Sequence, residues 1–350
     1  MTTFPHARDQ AAQSRILSTH ARHMNSFDTA AHGGYLTRAD LVAHGHDDRE
    51  IRAAVRLGHL VRIRHGVYAY AADHTMLGPE QRHAVVARAV ADKLGPGVAI
   101  SHQSACALLG LSMYDHDLSD IHVTRLDGSA GRREHGIVHH VGHAVRDEDV
   151  QELDGVLVMR PARAVFEAGL IGSVESAIVV MDSALHRGLV TKDDLRRLGE
   201  QMRSWQGARG ARYALSLADS RAASPGESRS RYLFRRAGLP IPQLQFPVHD
   251  ADGLLLGYTD FAWEEYRHLG EFDGFVKYGG IPNDTRSPQH VVFDEKKRED
   301  LIRRQLWGMS RWIWSELDTR RAHATAQRIR AELDQSRALY TRSRTYFPLG

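Results

Sequence analysis

Hydrophobic and polar positions follow a helical period in two short stretches near the start of the chain. In "GGYLTRADLVAHG", Thr37 is placed as an N-cap with Asp40 three residues on, and the pattern ends at Gly45. In "DDREIRAAVRLG", acidic residues open the helix, where they suit its positive end, and Gly58 closes it. Ile51, Ala54 and Val55 make one side of this second helix; Arg49, Arg52 and Arg56, at i, i+3 and i+7, make the other. "HLVRIRHGVYAY" then changes to a period of two. It predicts two short strands around His65-Gly66, with Val61, Ile63 and Val67 toward a core and Arg62, Arg64 and His65 forming a basic hairpin.

"PEQRHAVVARAVADKLG" is the longest helical pattern, and mixed helical and strand segments follow it, among them "DIHVTR", "GIVHHVG", "GVLVM" and "VESAIVVMDSALHRG". "SWQGARGARYALSLADSRAAS" reads as a helix-linker or a boundary, placed near residue 220. Just beyond it, Ser224, Pro225 and Glu227 fit the N-cap, N1 and N3 positions of a helix, which gives Glu227 a capping role. The next stretch has β character. Asp252-Gly253 is predicted as one hairpin turn and "EEYR" as a second, with Glu264 and Glu265 on the surface.

Pairing Trp263 with His268 across the second turn sets Asp260 opposite Glu271, and Asp273, two residues on, shares the face of Glu271. Carboxylates opposed across strands lie about 5 Å apart and repel. Three acids converging on one face therefore predict a divalent cation. Ligation by carboxylate oxygens alone suits Mg2+ or Mn2+, which can activate water and stabilise charge on a scissile phosphate.

Composition adds boundaries to this picture. The 350 residues, 42% hydrophobic and 25% charged, suit a folded chain of two or three domains. No stretch reaches the roughly 20 apolar residues of a bilayer span and the start has no signal-peptide core, so a cytoplasmic protein with no membrane partner is expected. The single cysteine, Cys106, sits among small apolar residues and is expected to be a buried thiol. The 22 histidines include no HExxH, and His139, His140 and His143 in "HHVGH" fall in a predicted strand without a completing carboxylate; solvated or core histidines are expected. Net charge is only +3, but arginines gather in runs such as "RSRYLFRR", which points to a polyanionic partner.

A helix–turn–helix followed by a basic wing suits double-stranded DNA, because the second helix fits a major groove and the wing rests on phosphates. Arg49, Arg52, Arg56, Arg62 and Arg64 are the expected contacts. The run from "GGYLTRADL" to "HGVYAY" resembles the N-terminal winged-helix domain of AbiEi-type antitoxins of type IV toxin–antitoxin systems. "ISHQSACALLGL", "IHVTR", "LDGVLVMRPARAVFEAG" and "AIVVMDSALHRGLVTKDDL" are similar to the second domain of actinobacterial members. Where such members often carry Thr-Ser-Pro-Ala-Arg-Thr, this chain keeps Pro161, Ala162 and Arg163 and loses the hydroxyls. The resemblance implies binding to the protein's own promoter, autoregulation and indirect neutralisation of a toxin partner.

Residues 224 to 315 resemble the PD-(D/E)XK nuclease superfamily, especially the group related to very-short-patch repair endonucleases. The resemblance implies that Asp260 and Glu271 bind metal and that Glu227 is the acid of the first helix. Asp273 stands where the family usually has lysine, and Lys277 would supply the cation if the strand continues past Gly274. Arg298 and Arg304 would contact phosphate, with Arg311 on the last strand, or else form solvated i,i+4 type pairs with Glu295 or Asp300. The expected fold is an α/β (α+β) multidomain chain. Its parts are a flexible arm (1–24), a winged helix-turn-helix (25–75), an AbiEi-antitoxin-like middle domain (76–205), a PD-(D/E)XK-like restriction-endonuclease fold (220–318) and a basic C-terminal tail (319–350) that could pair with a partner as an amphipathic helix. The expected function is a DNA-binding AbiEi-like protein with a Mg2+- or Mn2+-dependent endonuclease domain, acting in phage defence. The alternative is a non-enzymatic autorepressor or antitoxin whose nuclease fold is inactive.

Overall fold

The computed structural model describes residues 33–142, 144–274, 301–302 and 305–340. The chain forms two compact units, one of residues 1–110 and 117–160 and one of residues 111–116 and 161–350. The expected arm and tail end, and His143, Lys277, Arg298 and Arg304, lie outside the described residues. Both units mix helices and sheet. Among the described residues no helix is long and apolar enough to cross a membrane.

The first unit opens with β1 (Leu36–Thr37), α1 (Arg38–Ala43), α2 (Asp48–Arg56), β2 (Leu60–Arg64), β3 (Val67–Tyr70) and α3 (Ala71–Met76), the strands forming an antiparallel sheet in the order β1-β3-β2. Both early helices start on reciprocal capping boxes, Thr37 with Asp40 and Asp47 with Glu50, so the polar signals in the sequence become the hydrogen bonds that start each helix. Leu36, Leu41, Ile51, Ala54 and Leu60 close a small core beneath them. Gly66 turns the β2–β3 hairpin at φ +73°, a backbone conformation that glycine adopts without strain.

Next come α4 (Pro79–Leu94), β4 (Val98–Ile100), α5 (His102–Leu108), β5 (Ile121–Arg125), β6 (Arg132–Glu134), β7 (Ile137–His140), β8 (Val150–Leu153) and β9 (Val156–Met159). The sheet order is β6-β7-β5-β4-β9-β8, with β5 parallel to β7 and β4 parallel to β9. Ile121 to Thr124 are all buried in central β5, so the polar His122 and Thr124 that alternate with Ile121 and Val123 are enclosed as well. Cys106 is a buried thiol in α5, as the sequence implies.

The second unit begins with a helical layer: α6 (Pro161–Ile171), α7 (Val174–His186), α8 (Lys192–Gln201) and α9 (Ala208–Leu217). The passage read as a helix-linker or a boundary contains α9, whose Ala208, Ala211, Ala214 and Leu215 are buried; alanines at helical spacing allow close packing. Then follow α10 (Pro225–Arg236), β10 (Gln243–His249), β11 (Leu255–Trp263), β12 (His268–Asp273), β13 (Gly308–Ile313) and α11 (Thr319–Tyr340). β10, β11 and β12 form an antiparallel meander, and β13 runs parallel to β12.

One face of this sheet carries Phe261, Trp263 and Trp312 against Phe234 of α10; Val248, Ala262 and Leu269 cluster with Ile302 and Trp307 separately. α11 spans most of the stretch expected as a basic tail. Ala326, Ile329 and Leu333 recur at i, i+3 and i+7 and enter the Phe234 cluster, a stripe hidden in the sequence by the arginines around it.

Candidate nucleic-acid interface and acidic strand pair

The basic face of α2 is built from its own charge arrangement. Its acids are all engaged at the helix start. Asp47 accepts from Glu50 N, Glu50 returns a bond to Asp47 N, and Asp48 is clamped by Arg38 at 2.6 and 2.7 Å. The hydrogen bond from Arg38 holds the Asp48 carboxyl below the usual carboxylate range. Arg49, Arg52 and Arg56 are exposed on the remaining face, and among the described residues no hydrogen bond or ion pair engages them. Ile51 and Ala54 anchor the opposite face in the core.

In the hairpin Arg62 is exposed, its Nε donating to Arg64 O at 3.3 Å, while Arg64 is half-buried and donates through Nη2 to His135 O at 2.6 Å. Desolvation lowers the pKa of Arg64. Arg64 therefore ties the hairpin to the β6–β7 turn of the same unit, whereas Arg49, Arg52, Arg56 and Arg62 point to solvent.

In the second unit the predicted register holds: Trp263 pairs with His268, Ala262 with Leu269 and Phe261 with Gly270. Counting one step further puts Asp260 across from Glu271. Both are half-buried and Asp273 is exposed. Each of the two paired acids has a protein partner. Asp260 Oδ2 accepts from Phe272 N at 2.9 Å, and Glu271 Oε2 lies 2.8 Å from Arg311 Nη2 and 3.0 Å from its Nε. The cation beside Glu271 thus comes from the neighbouring parallel strand, where Glu271 and Arg311 are register partners.

Glu227 belongs to a different setting. Its carboxylate accepts from Ala223 N at 3.0 Å, Ser224 Oγ at 2.8 Å and Gln245 Nε2 at 3.1 Å, while its own N–H bonds to Ser224 Oγ. This is the helix-start role read from the sequence. α10 packs through Phe234 on the sheet face opposite that of Asp260 and Glu271.

One group of three potential metal ligands among the described residues has ligand atoms all within 4.8 Å of one another, and it is His102, His122 and His140, not the three acids. Sequence reading set His140 aside as part of "HHVGH", because its partners come from "SHQSA" and "DIHVTR", distant in sequence and joined only by the sheet register. Burial, and the neighbouring His140, push the His122 imidazole down to about 3; burial and His139 push His140 down to about 4. Both rings are neutral near pH 7.

Two Mycobacterium tuberculosis proteins, Uncharacterized protein MT2308 of strain CDC 1551 / Oshkosh and Uncharacterized protein Rv2248 of strain ATCC 25618 / H37Rv, are each 28% identical over 234 residues, spanning 66% of this chain and 80% of theirs. The crystal structure of RV2827C protein from Mycobacterium tuberculosis aligns with a TM-score of 0.35 and 18% identity over 69% of this chain and 90% of that one. Residues 27–71, which carry the capped helices, Arg49, Arg52, Arg56 and the basic hairpin, match the family described as "Transcriptional regulator, AbiEi antitoxin".

Proposed function

We propose that this protein is a DNA-binding transcriptional regulator of AbiEi antitoxin type, whose winged helix-turn-helix at 25–75 places α2 in a major groove of its own promoter and whose biological partner is a toxin. The observation that carries this reading is the α2 surface: three exposed arginines on one face, with the helix's acids already engaged at its start, inside the stretch that matches the antitoxin family. Arginine supplies both base-edge and phosphate contacts. The test is a promoter-binding titration with the Arg52→Ala, Arg56→Ala double variant. Loss of binding with the fold intact is expected, with indifference to Asp260→Ala; unchanged binding in the double variant would overturn the reading.

A second reading keeps residues 220–318 as a PD-(D/E)XK-like domain that hydrolyses phosphodiesters with Mg2+ or Mn2+ held by Asp260, Glu271 and Asp273. What favours it is the succession of α10, the β10–β12 meander and a parallel β13, with these acids on one face of β11 and β12. What favours the regulator is that Glu271 and Asp260 have protein partners and Glu227 caps its helix. Nicking of supercoiled DNA in Mg2+ or Mn2+, lost in the Asp260→Ala, Glu271→Ala double variant, would establish the nuclease. Absence of nicking by the natural sequence would leave the regulator.

A further inference from the structure

His102, His122 and His140 come from three elements that the first unit's folding brings to one spot. β5 and β7 run parallel with Thr124 opposite His140 and His122 opposite Val138, so alternation puts His122, Thr124 and His140 on the same face of the sheet. Ser101 N donates to His122 O at 3.0 Å, which fixes the residue before His102 beside β5. His102 then opens α5 at φ +53°, a left-handed conformation that residues with side chains rarely adopt, and its ring stacks on His140 with centroids 3.7 Å apart.

His122 Nδ1 and His140 Nε2 lie 2.8 Å apart and share one proton. Two further polar atoms at the cluster are buried without a hydrogen-bond partner in the structure: Thr124 Oγ1 and Gln103 Oε1. His102 and His122 are buried and His140 is half-buried, so the cluster has one more open side.

We propose that these three imidazoles form a binding site for one divalent transition-metal ion of the zinc class. Neutral imidazole is the preferred ligand of such ions, and three histidines with an open fourth position form a known type of zinc site. Tetrahedral ligation at about 2.1 Å separates ligand nitrogens by about 3.4 Å. The His122–His140 pair opens from 2.8 Å and the group closes from within 4.8 Å, adjustments that side-chain rotation supplies. The ion takes the place of the shared proton.

His122 then carries its hydrogen on Nε2, which faces the Gln103 carboxamide at 2.9 Å, and rotation of that amide presents the partnerless Oε1 as the acceptor at the cost of the bond from Gln103 Nε2 to Asp117 O. The site does not depend on the DNA-binding reading, and none of its residues belongs to the acidic strands.

The experiment uses the full-length protein stripped with chelator and dialysed. Because the chain has 22 histidines, the readout is a difference between natural sequence and variants. Zn2+ titration by calorimetry should show about one tight equivalent per chain, absent in His140→Gln and in His102→Gln. Zn2+ should raise the melting temperature of the natural sequence and not that of either variant. Co2+ added to the natural sequence should give the visible absorption of a four-coordinate nitrogen site, a readout that needs no variant. No tight equivalent, no Co2+ band, or equal stoichiometry in a folded His140→Gln variant would overturn the proposal.

Discussion

Arg311 closes an ion pair with Glu271 across the parallel β12–β13 ladder, Nη2 to Oε2 at 2.8 Å, with Glu271 the more enclosed of the two. An acid buried to this degree inside a sheet requires compensation, and here the neighbouring strand supplies it. Glu271→Gln and Arg311→Met should therefore couple. In a double-mutant cycle followed by denaturant unfolding, about 1 kcal/mol of interaction is expected, a figure held down by the partial exposure of Arg311. Additive effects would mean the pair is not what stabilises Glu271.

Arg52 and Arg56 should act on DNA affinity through charge. Each phosphate neutralised contributes about 0.9 to the slope of log K against log salt, so each alanine replacement should flatten that slope by about 1 if it removes a phosphate contact. A replacement that weakens binding at unchanged slope would instead mark a base-edge contact. Arg64→Ala should differ from both, because its guanidinium bonds to His135 O and its loss loosens the hairpin as well. A fall in melting temperature for Arg64→Ala alone is the expected signature.

Much of this architecture could be read from local chemistry. The caps at Thr37, Asp47 and Ser224 and the Trp263–His268 pairing follow from signals a few residues apart, and the structure contains each of them. What could not be read depends on contacts distant in sequence. The partner of Glu271 is 40 residues away, and the His102, His122 and His140 group is assembled by strand order rather than spacing. The α11 stripe was legible in principle, but its three apolar positions are outnumbered by arginine and glutamate. The opposed acids led to the expectation of a divalent cation; that Arg311 lies beside Glu271 needed the register of β13.

Arg229 is expected to resist even conservative replacement. Its guanidinium is buried, pairs with Glu175 at 2.8 Å, donates to Leu317 O at 3.0 Å and lies over the Tyr114 ring at 3.9 Å and the Trp314 ring at 5.0 Å. Only a planar, forked cation meets all of these contacts together. Arg229→Lys should cost about 2 kcal/mol or more and Arg229→Met should cost more still, because Glu175 loses its partner. Thermal unfolding of both variants decides this; a lysine variant as stable as the natural sequence would sink it.

His268 should make the second unit acid-sensitive in a defined window. Its ring is buried, with Nδ1 2.8 Å from Ser336 Oγ and Nε2 2.7 Å from Ser310 Oγ, and Ser310 in turn bonds to Glu332. Burial pushes the imidazole down to about 4 from its ordinary 6.5, against the opposing pull of Glu332. The unfolded chain therefore takes up this proton first as pH falls. The contribution to stability is fully present above about pH 6.5 and is lost as pH falls toward about 4, by about 3 kcal/mol in total. His268→Gln cannot titrate, so the stability gap between natural sequence and variant should be constant above pH 6.5 and narrow steadily between pH 6.5 and 4. Parallel stability–pH curves would show that the buried ring keeps an ordinary pKa and that its two serine contacts accommodate the charged form.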